Sequence, residues 1–403
     1  MNSEKEIKLV GFKLWQVSVI ILITCFLCVT TTYIFLIKDN KEDEQLVNYL
    51  LNNNNQDIST VYNSLVESFY GEIDEKELLN KAIDAMIEYV EDEHAGYYPP
   101  IEKEEFDAAI EGKLTGIGVS ITSNLKKEVI IVNVFEKSPA ENALLKIGDI
   151  IVKVNDVSVV GKTTAEVSTL VTGKEGTMVD ITVLRNGEKI TTAVVRKEIT
   201  APSVTSKVYT EQDKKIGYID IDRFSSDSGK LFYEHLTLLE KEGIKGLIID
   251  VRSNTGGYLT SVTEIASNFI KANDVIYQLK QKDSIEKIVS KNEKEKDYKV
   301  VILQNELSAS ASEILSVALK ENLSSQVIGK TSYGKGTAQK TMGLSNGGMV
   351  KFTIQEWLSP NGNVINKKGI EPTIEVDLSQ DYLNMPILEN DNQFKKALEV
   401  LTK

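Results

Sequence analysis

The chain has 403 residues, 41% of them hydrophobic, and a formal net charge of −13. That length can bury more than one core, and the excess of carboxylates argues against a nucleic-acid partner, because a phosphate backbone selects clustered Lys and Arg. The two cysteines, Cys25 and Cys28, both fall in an apolar N-terminal stretch, so the remainder carries no disulfide and no thiolate zinc site.

Trp15 to Ile37 is uncharged and long enough to cross a hydrocarbon core of about 30 Å as a helix. Lys5, Lys8 and Lys13 precede it, and Asp39, Glu42, Asp43 and Glu44 follow. The positive-inside rule then makes residues 1–14 a cytoplasmic tail, residues 15–37 a transmembrane helix, and the rest extracytoplasmic. A cleaved signal peptide competes with this reading, but no clear small-x-small site follows the apolar run. Cys25 as a lipidated residue is opposed by Thr24, which is larger than the residue such sites usually show.

Residues 38–111 read as a linker and a helical N-terminal region, with Ile83, Met86, Ile87 and Val90 on one stripe. Within it, His94 has no ligand partner in sequence reach and is read as structural.

Residues 112–199 read as short strands with one brief helix. Leu114-Thr115-Gly116-Ile117-Gly118-Val119, then Ser138-Pro139-Ala140, Gly148-Asp149-Ile150 and Val154-Asn155, resemble the pattern of a PDZ domain. The resemblance implies that the loop Gly116, Ile117, Gly118, Val119 offers backbone N–H groups to a peptide's terminal carboxylate. It also implies that Val119 to Ile121 offers a strand edge and that Val167, Leu170 and Val171 line an apolar pocket. Those three can equally be ordinary core. Leu144 stands where a glycine is common, which puts the local turn in question.

After Thr200-Ala201-Pro202, strands and helices alternate: Ile216 to Ile221, Ser228 to Glu242, Gly246 to Val251, Tyr258 to Ile270. The alternation predicts a layered α/β core over residues 200–378, followed by a C-terminal segment, 379–403. The fold class expected is thus α/β multidomain. Lys280 to Lys299 is charged and reads as a solvated connection or hairpin.

Lys299 to Leu303 reads as a buried strand and Ala311 to Lys320 as a helix, which puts Ser308-Ala309-Ser310-Ala311-Ser312-Glu313 at a strand-to-helix junction. Serines there can be N-caps. A serine in a helix's first turn also lies beside unpaired N–H groups, the donors an oxyanion needs. Beyond Val327 to Gly329 comes Thr331 to Gln339, with Lys335 between Gly334 and Gly336. A serine and a lysine so placed are a nucleophile and a base.

These two segments, SASASEI and GKG-x-x-Q, resemble those of the carboxy-terminal processing (tail-specific) serine proteases. The resemblance implies Ser310 as nucleophile, Lys335 as general base and Gln339 as the residue that orients the lysine. Asp250-Val251-Arg252-Ser253-Asn254-Thr255-Gly256-Gly257 is similar to the family's oxyanion loop, with Val251 and Thr255 as departures. Gly256 or Gly257 would then act with the N–H of Ala311. A lysine base has an ordinary pKa of about 10.4, so burial must depress it. The expectation is a membrane-anchored serine endopeptidase that needs no metal or cofactor. It would cleave extracytoplasmic proteins recognised by free, apolar C-termini, with a homo-oligomer left open. The rivals are a catalytically inactive membrane-anchored PDZ scaffold, opposed by the intact Ser, Lys and Gln, and an acyl-CoA enzyme, opposed by the PDZ-like unit and the topology.

Overall fold

The structure, a computed structural model, describes residues 55–291 and 296–403. The expected membrane helix over Trp15 to Ile37 lies outside them. Among the described residues no helix is long and apolar enough to cross a membrane. The chain divides after Ala82 into two compact units.

The N-terminal region is helical, as α1 (Asn55–Ser68), α2 (Glu75–Tyr89) and α3 (Pro100–Ile110). Proline at the first turn of α3 costs nothing, since its missing N–H would be unpaired there anyway. One element departs from expectation. Gly96–Tyr98 forms a strand, β1, that pairs antiparallel with Met349 to Lys351. Three residues carry no readable alternation, and their pairing is set by a strand some 250 positions away in sequence.

Next come β2 (Lys113–Gly116), β3 (Val119–Ser123), β4 (Val129–Val134), α4 (Pro139–Asn142), β5 (Ile150–Val154), β6 (Val157–Ser158), α5 (Thr164–Val171), β7 (Met178–Arg185), β8 (Glu188–Val195) and β9 (Lys197–Thr200). The sheet order is β3-β4-β5-β7-β8 with β6 on β5, and β2 pairs with β9 where the chain enters and leaves. Asn186-Gly187, both at positive φ, close the β7–β8 hairpin. Mirror-image turns of this kind match the twist of the strands they join. Helix α5 starts on a capping box, in which the Thr163 N–H donates to Glu166 and the Glu166 N–H donates back to Thr163 Oγ1. Leu144 adopts φ 59° and is exposed. The turn thus keeps the left-handed geometry that favours glycine, at a cost of about 1 kcal/mol.

The remainder comprises β10 (Val204–Glu211), β11 (Lys214–Ile221), α6 (Ser228–Lys241), β12 (Gly246–Asp250), α7 (Leu259–Ala266), β13 (Val275–Gln281), β14 (Ser284–Val289), β15 (Lys299–Gln304), α8 (Ala311–Leu323), β16 (Gln326–Gly329), β17 (Thr337–Gly343), β18 (Met349–Leu358), β19 (Ile374–Glu375), α9 (Gln380–Asn384) and α10 (Asn392–Thr402). Six strands form one sheet, β10-β11-β12-β15-β16-β19, parallel apart from β10. Strand alternation sorts its side chains to two faces. Leu247, Ile249, Val300 and Ile302 pack in one core with residues of α6, α7 and α8, whereas Ile248, Val301, Leu303 and Ile328 pack with Phe394, Ala397, Leu398 and Leu401 of α10. Burial on both sides is why these strands read as continuous apolar runs. A second sheet has the order β1-β18-β13-β14, with β17 on β18, and the β13–β14 hairpin accounts for much of the charged run after Lys280.

Strands β12, β15 and β16 are parallel neighbours. Their C-terminal ends therefore lie side by side, and each opens into a loop at the same rim of the sheet, where ligands bind in open α/β folds.

Candidate active site

The three rim loops carry the three candidate groups. After β12 comes Arg252 to Gly257, after β15 comes Asn305 to Ser310, and after β16 comes Lys330 to Gly336.

Among Ser308 and Ser310 of the middle loop and Ser312 at the start of α8, hydrogen bonding separates two from the third. Ser308 and Ser312 are fully buried and donate their hydroxyls to the carbonyls of Val251 and Asn254, both at 2.8 Å. Ser310 is half-buried and its hydroxyl donates to no group among the described residues. It caps α8 with φ 55° and ψ −114°, in a region of backbone space that a residue with a side chain rarely occupies. The N–H of Ala311, the first residue of α8, donates to nothing among the described residues, so the positive end of the helix lies open beside Ser310.

Glu313 builds the connection to the lysine. Its carboxylate is completely buried. One oxygen accepts from the N–H groups of Ser310 (2.8 Å) and Lys335 (2.9 Å), and the other from Ser332 Oγ and the Gly334 N–H, both at 2.6 Å. A single side chain thus sets the Ser310 backbone and the Lys335 backbone against each other. The glycines around the lysine permit close packing of its loop: a Cβ on Gly336 would stand 2.4 Å from the Asn366 nitrogen. Lys335 Nζ makes no hydrogen bond or ion pair among the described residues. Burial, and after it the Lys351 charge, hold the amine below the ordinary lysine range, while Asp92, Glu313 and Glu93 pull weakly the other way.

The first loop is organised by Asn254, which is buried. Its side chain donates to the Ile221 carbonyl (2.6 Å) and accepts from the Gly256 N–H (2.8 Å), and its carbonyl accepts from the Ala309 N–H (3.0 Å). Gly256 presses directly on Ser310, since a Cβ there would lie 2.9 Å from Ser310 Cβ. Its N–H is already committed to Asn254, whereas the Gly257 N–H donates to nothing among the described residues. Of the two candidate glycines, only Gly257 keeps a donor available.

The sequence model for Peptidase family S41 matches residues 215–376, and that for the PDZ domain matches residues 115–195. The chain is 36% identical over 346 residues to the carboxy-terminal processing protease CtpB of Bacillus subtilis, covering 85% of this chain and 71% of that protein. The chain belongs to the carboxy-terminal processing proteases. It is also 32% identical over 404 residues to a probable CtpA-like serine protease of Staphylococcus aureus, covering 98% of this chain and 78% of that one. In fold it matches the photosystem II D1 C-terminal processing protease, with a TM-score of 0.51 at 24% identity over 85% of this chain and 90% of that chain. It likewise matches a putative S41 protease from Bacteroides fragilis, with a TM-score of 0.62 at 15% identity over 79% of this chain and 90% of that chain. This processing protease is accordingly a serine-type peptidase with a PDZ domain.

Gln339 lies on β17 opposite Thr353 of β18, and its Nε2 donates to Thr337 Oγ1 (2.9 Å) and Thr353 Oγ1 (3.2 Å). No hydrogen bond joins it to Lys335 among the described residues. With the nitrogen anchored, the amide oxygen is the atom left to accept from an amine. Asp92 enters the same neighbourhood, accepting from the Thr353 N–H (2.8 Å). His94, read from sequence as structural, lies within electrostatic reach of Lys335. Burial foremost, and then that lysine's charge, lower its pKa.

In the PDZ domain of this processing protease, β3 is the terminal strand of its sheet, and Val119 and Ile121 lie on it. Gly116 is instead paired to Lys197 in the β2–β9 ladder. The carbonyls of Ile117 and Gly118 are anchored by the N–H groups of Ala140 (2.8 Å) and Phe135 (3.0 Å), and their own N–H groups donate to nothing among the described residues. The side chains of Ile117, Val167 and Val171 belong to the domain core, with Leu170 packed partly buried against it. Val167, fully buried, is core rather than open pocket wall.

Sequence reasoning assigned no role to Glu313, Asn254 or Arg252. A signal for the first existed: Ser310-x-x-Glu313 has the spacing of a capping box.

Proposed function

We propose that this protein is a membrane-anchored endopeptidase that hydrolyses extracytoplasmic proteins through a Ser310–Lys335 dyad and selects them by their C-terminal tails. One observation carries the reading: a serine with an undirected hydroxyl proton and a lysine with a depressed, unpaired amine have their backbone N–H groups hung on one oxygen of a single buried carboxylate, Glu313.

In the chemistry that follows, neutral Lys335 accepts the Ser310 hydroxyl proton as Oγ attacks the scissile carbonyl carbon. The carbonyl oxygen becomes an oxyanion, for which the N–H groups of Gly257 and Ala311 are the donors, aided by the α8 dipole. Lys335 then returns the proton to the leaving amine. Lys335 then takes a proton from a water that attacks the acyl carbon, and gives it to Ser310 Oγ as the ester bond breaks, which releases the carboxylic acid and restores both residues. Gln339 holds the amine through its oxygen without adding a charge that would favour the ammonium.

The free N–H groups of Ile117 and Gly118 and the open edge of β3 suit a peptide that ends in a carboxylate and adds as a strand. Anchoring through Trp15 to Ile37, with the N-terminus cytoplasmic, rests on the charge asymmetry of that segment.

The test is degradation of an unfolded protein by the purified full chain, wild type against Ser310→Ala. The variant is expected to fold and to be inert. Equal cleavage by both removes Ser310 from the chemistry and the reading with it.

A further inference from the structure

The mechanism above leaves unused a buried charged cluster at the root of the oxyanion loop. Arg252, two residues beyond the end of β12 at Asp250, forks in two directions. Toward its own strand, Nε lies 2.9 and 3.0 Å from the Asp250 oxygens and Nη2 lies 2.5 Å from Oδ2, which also accepts from Tyr218. Toward the C-terminus, Nη1 donates to Gln393 Oε1 at 3.0 Å and pairs with Asp391 Oδ2 at 2.6 Å.

Asp391 has no exposed surface and Gln393 has almost none. Each is held from behind. Asp391 Oδ1 caps α10, accepting from the N–H groups of Gln393 (2.8 Å) and Phe394 (3.0 Å), and Gln393 Nε2 donates to the Val376 carbonyl (2.7 Å). Helix α10 is itself seated in the core by Phe394, Ala397, Leu398 and Leu401. The guanidinium is therefore clamped from an element that is distant in sequence and rigid in space.

Two carboxylates on one buried guanidinium leave a net negative charge, an arrangement that does not maximise stability. It does fix the first residue of a loop only six residues long, whose fifth residue packs against Ser310 and whose sixth carries the free N–H. Oxyanion donors must be placed to within a few tenths of an ångström to act.

We propose that Asp391 and Gln393 are positioning residues for the oxyanion loop: from the C-terminal helix they hold Arg252, and through it the Gly257 N–H, in register with Ser310. The C-terminal segment then belongs to the catalytic apparatus although it touches no reacting atom. This rests on the reading of Arg252 to Gly257 as the oxyanion loop.

Asp391→Asn in the full chain is the discriminating variant. Asparagine caps helices as well as aspartate does, and the Arg252–Asp250 pair stays charge-balanced, so the fold is expected to persist. What changes is that an amide N–H₂ or an uncharged oxygen meets Nη1. The expected result is a fall in kcat of at least tenfold with KM within twofold, and a thermal transition near that of wild type. Adding Asp391→Asn to Arg252→Gln should cost little more than Arg252→Gln alone, because the effect runs through that side chain. Gln393→Met, which keeps volume and loses the acceptor, should lower kcat about threefold and carries the test if the first variant does not fold.

A wild-type kcat in whichever of these variants fold overturns the proposal, as does full additivity with Arg252→Gln. If Ser310→Ala itself remains active, the reading of the site has failed instead, and the two outcomes are distinguishable.

Discussion

The rim proposed as catalytic and the groove proposed to take peptide tails both leave backbone N–H groups unpaired among the described residues, yet they are built in opposite ways. At the rim the side chains that hold the donors are themselves hydrogen-bonded. Glu313 accepts four hydrogen bonds, Asn254 uses its side chain and its carbonyl, and the Gly257 and Ala311 N–H groups are left without partners among the described residues. In the PDZ domain the open element is a whole strand edge, β3, that only an incoming peptide would complete. The first site is prepaid in folding and the second is completed on binding. Damage to the rim should therefore fall on turnover with every substrate, and damage to the groove on long, tail-bearing substrates only.

The largest effect that would sharpen this contrast is expected from Glu313→Gln. A carboxamide cannot accept from all four donors, and its own N–H₂ must face at least one of them, so kcat should drop by at least about a hundredfold and stability by about 3 kcal/mol. Turnover of a short reporter peptide and a denaturant titration measure both. Retention of wild-type turnover would show that the rim is not organised by this carboxylate.

A smaller and selective effect is expected in the groove. Gly118 has φ 87°, and a Cβ there would stand 2.3 Å from Ser138 Cβ, so Gly118→Ala must displace the loop. Cleavage of a long substrate should fall about tenfold, and amidating that substrate's C-terminus should do the same to the wild type, with short reporters unaffected by either. An equal loss on short reporters would break the proposed division of labour.

The mildest change is a shift along the pH axis. Lys351, held over the rings of Tyr98 (5.2 Å) and Phe106 (5.0 Å), is the charge that does most, after burial, to depress Lys335. In Lys351→Gln the ammonium of Lys335 becomes easier to keep. Its pKa rises toward the ordinary value, and the rise of kcat/KM with pH should move to higher pH while the plateau is preserved. A profile that stays in place or moves to lower pH would show that Lys335 is not the titrating base.

How much of this was legible in the sequence depended on whether the determining contact was local. The apolar runs at Gly246 to Val251 and Lys299 to Leu303 were readable as buried strands because burial on both faces writes itself into consecutive apolar residues. Ser310 and Lys335 were readable as groups on loops at strand ends. Gly256 and Gly257 were not separable, because the choice is made by the side chain of Asn254, and nothing in a Gly-Gly pair reports which N–H a neighbour has taken. Glu313 was hidden by sufficiency, since a capping box explains it without reference to Lys335. The strand Gly96–Tyr98 and the Arg252–Gln393 contact, which spans 141 positions, left no local trace at all.

The backbone angles of Ser310 carry one more consequence. A side chain at φ 55°, ψ −114° costs about 1–3 kcal/mol, and a glycine would remove that cost together with the hydroxyl proposed as nucleophile. Selection for thermal endurance alone would therefore tend to discard this serine, so a stabilised version of this enzyme has to be screened on peptide cleavage at every round rather than on melting temperature.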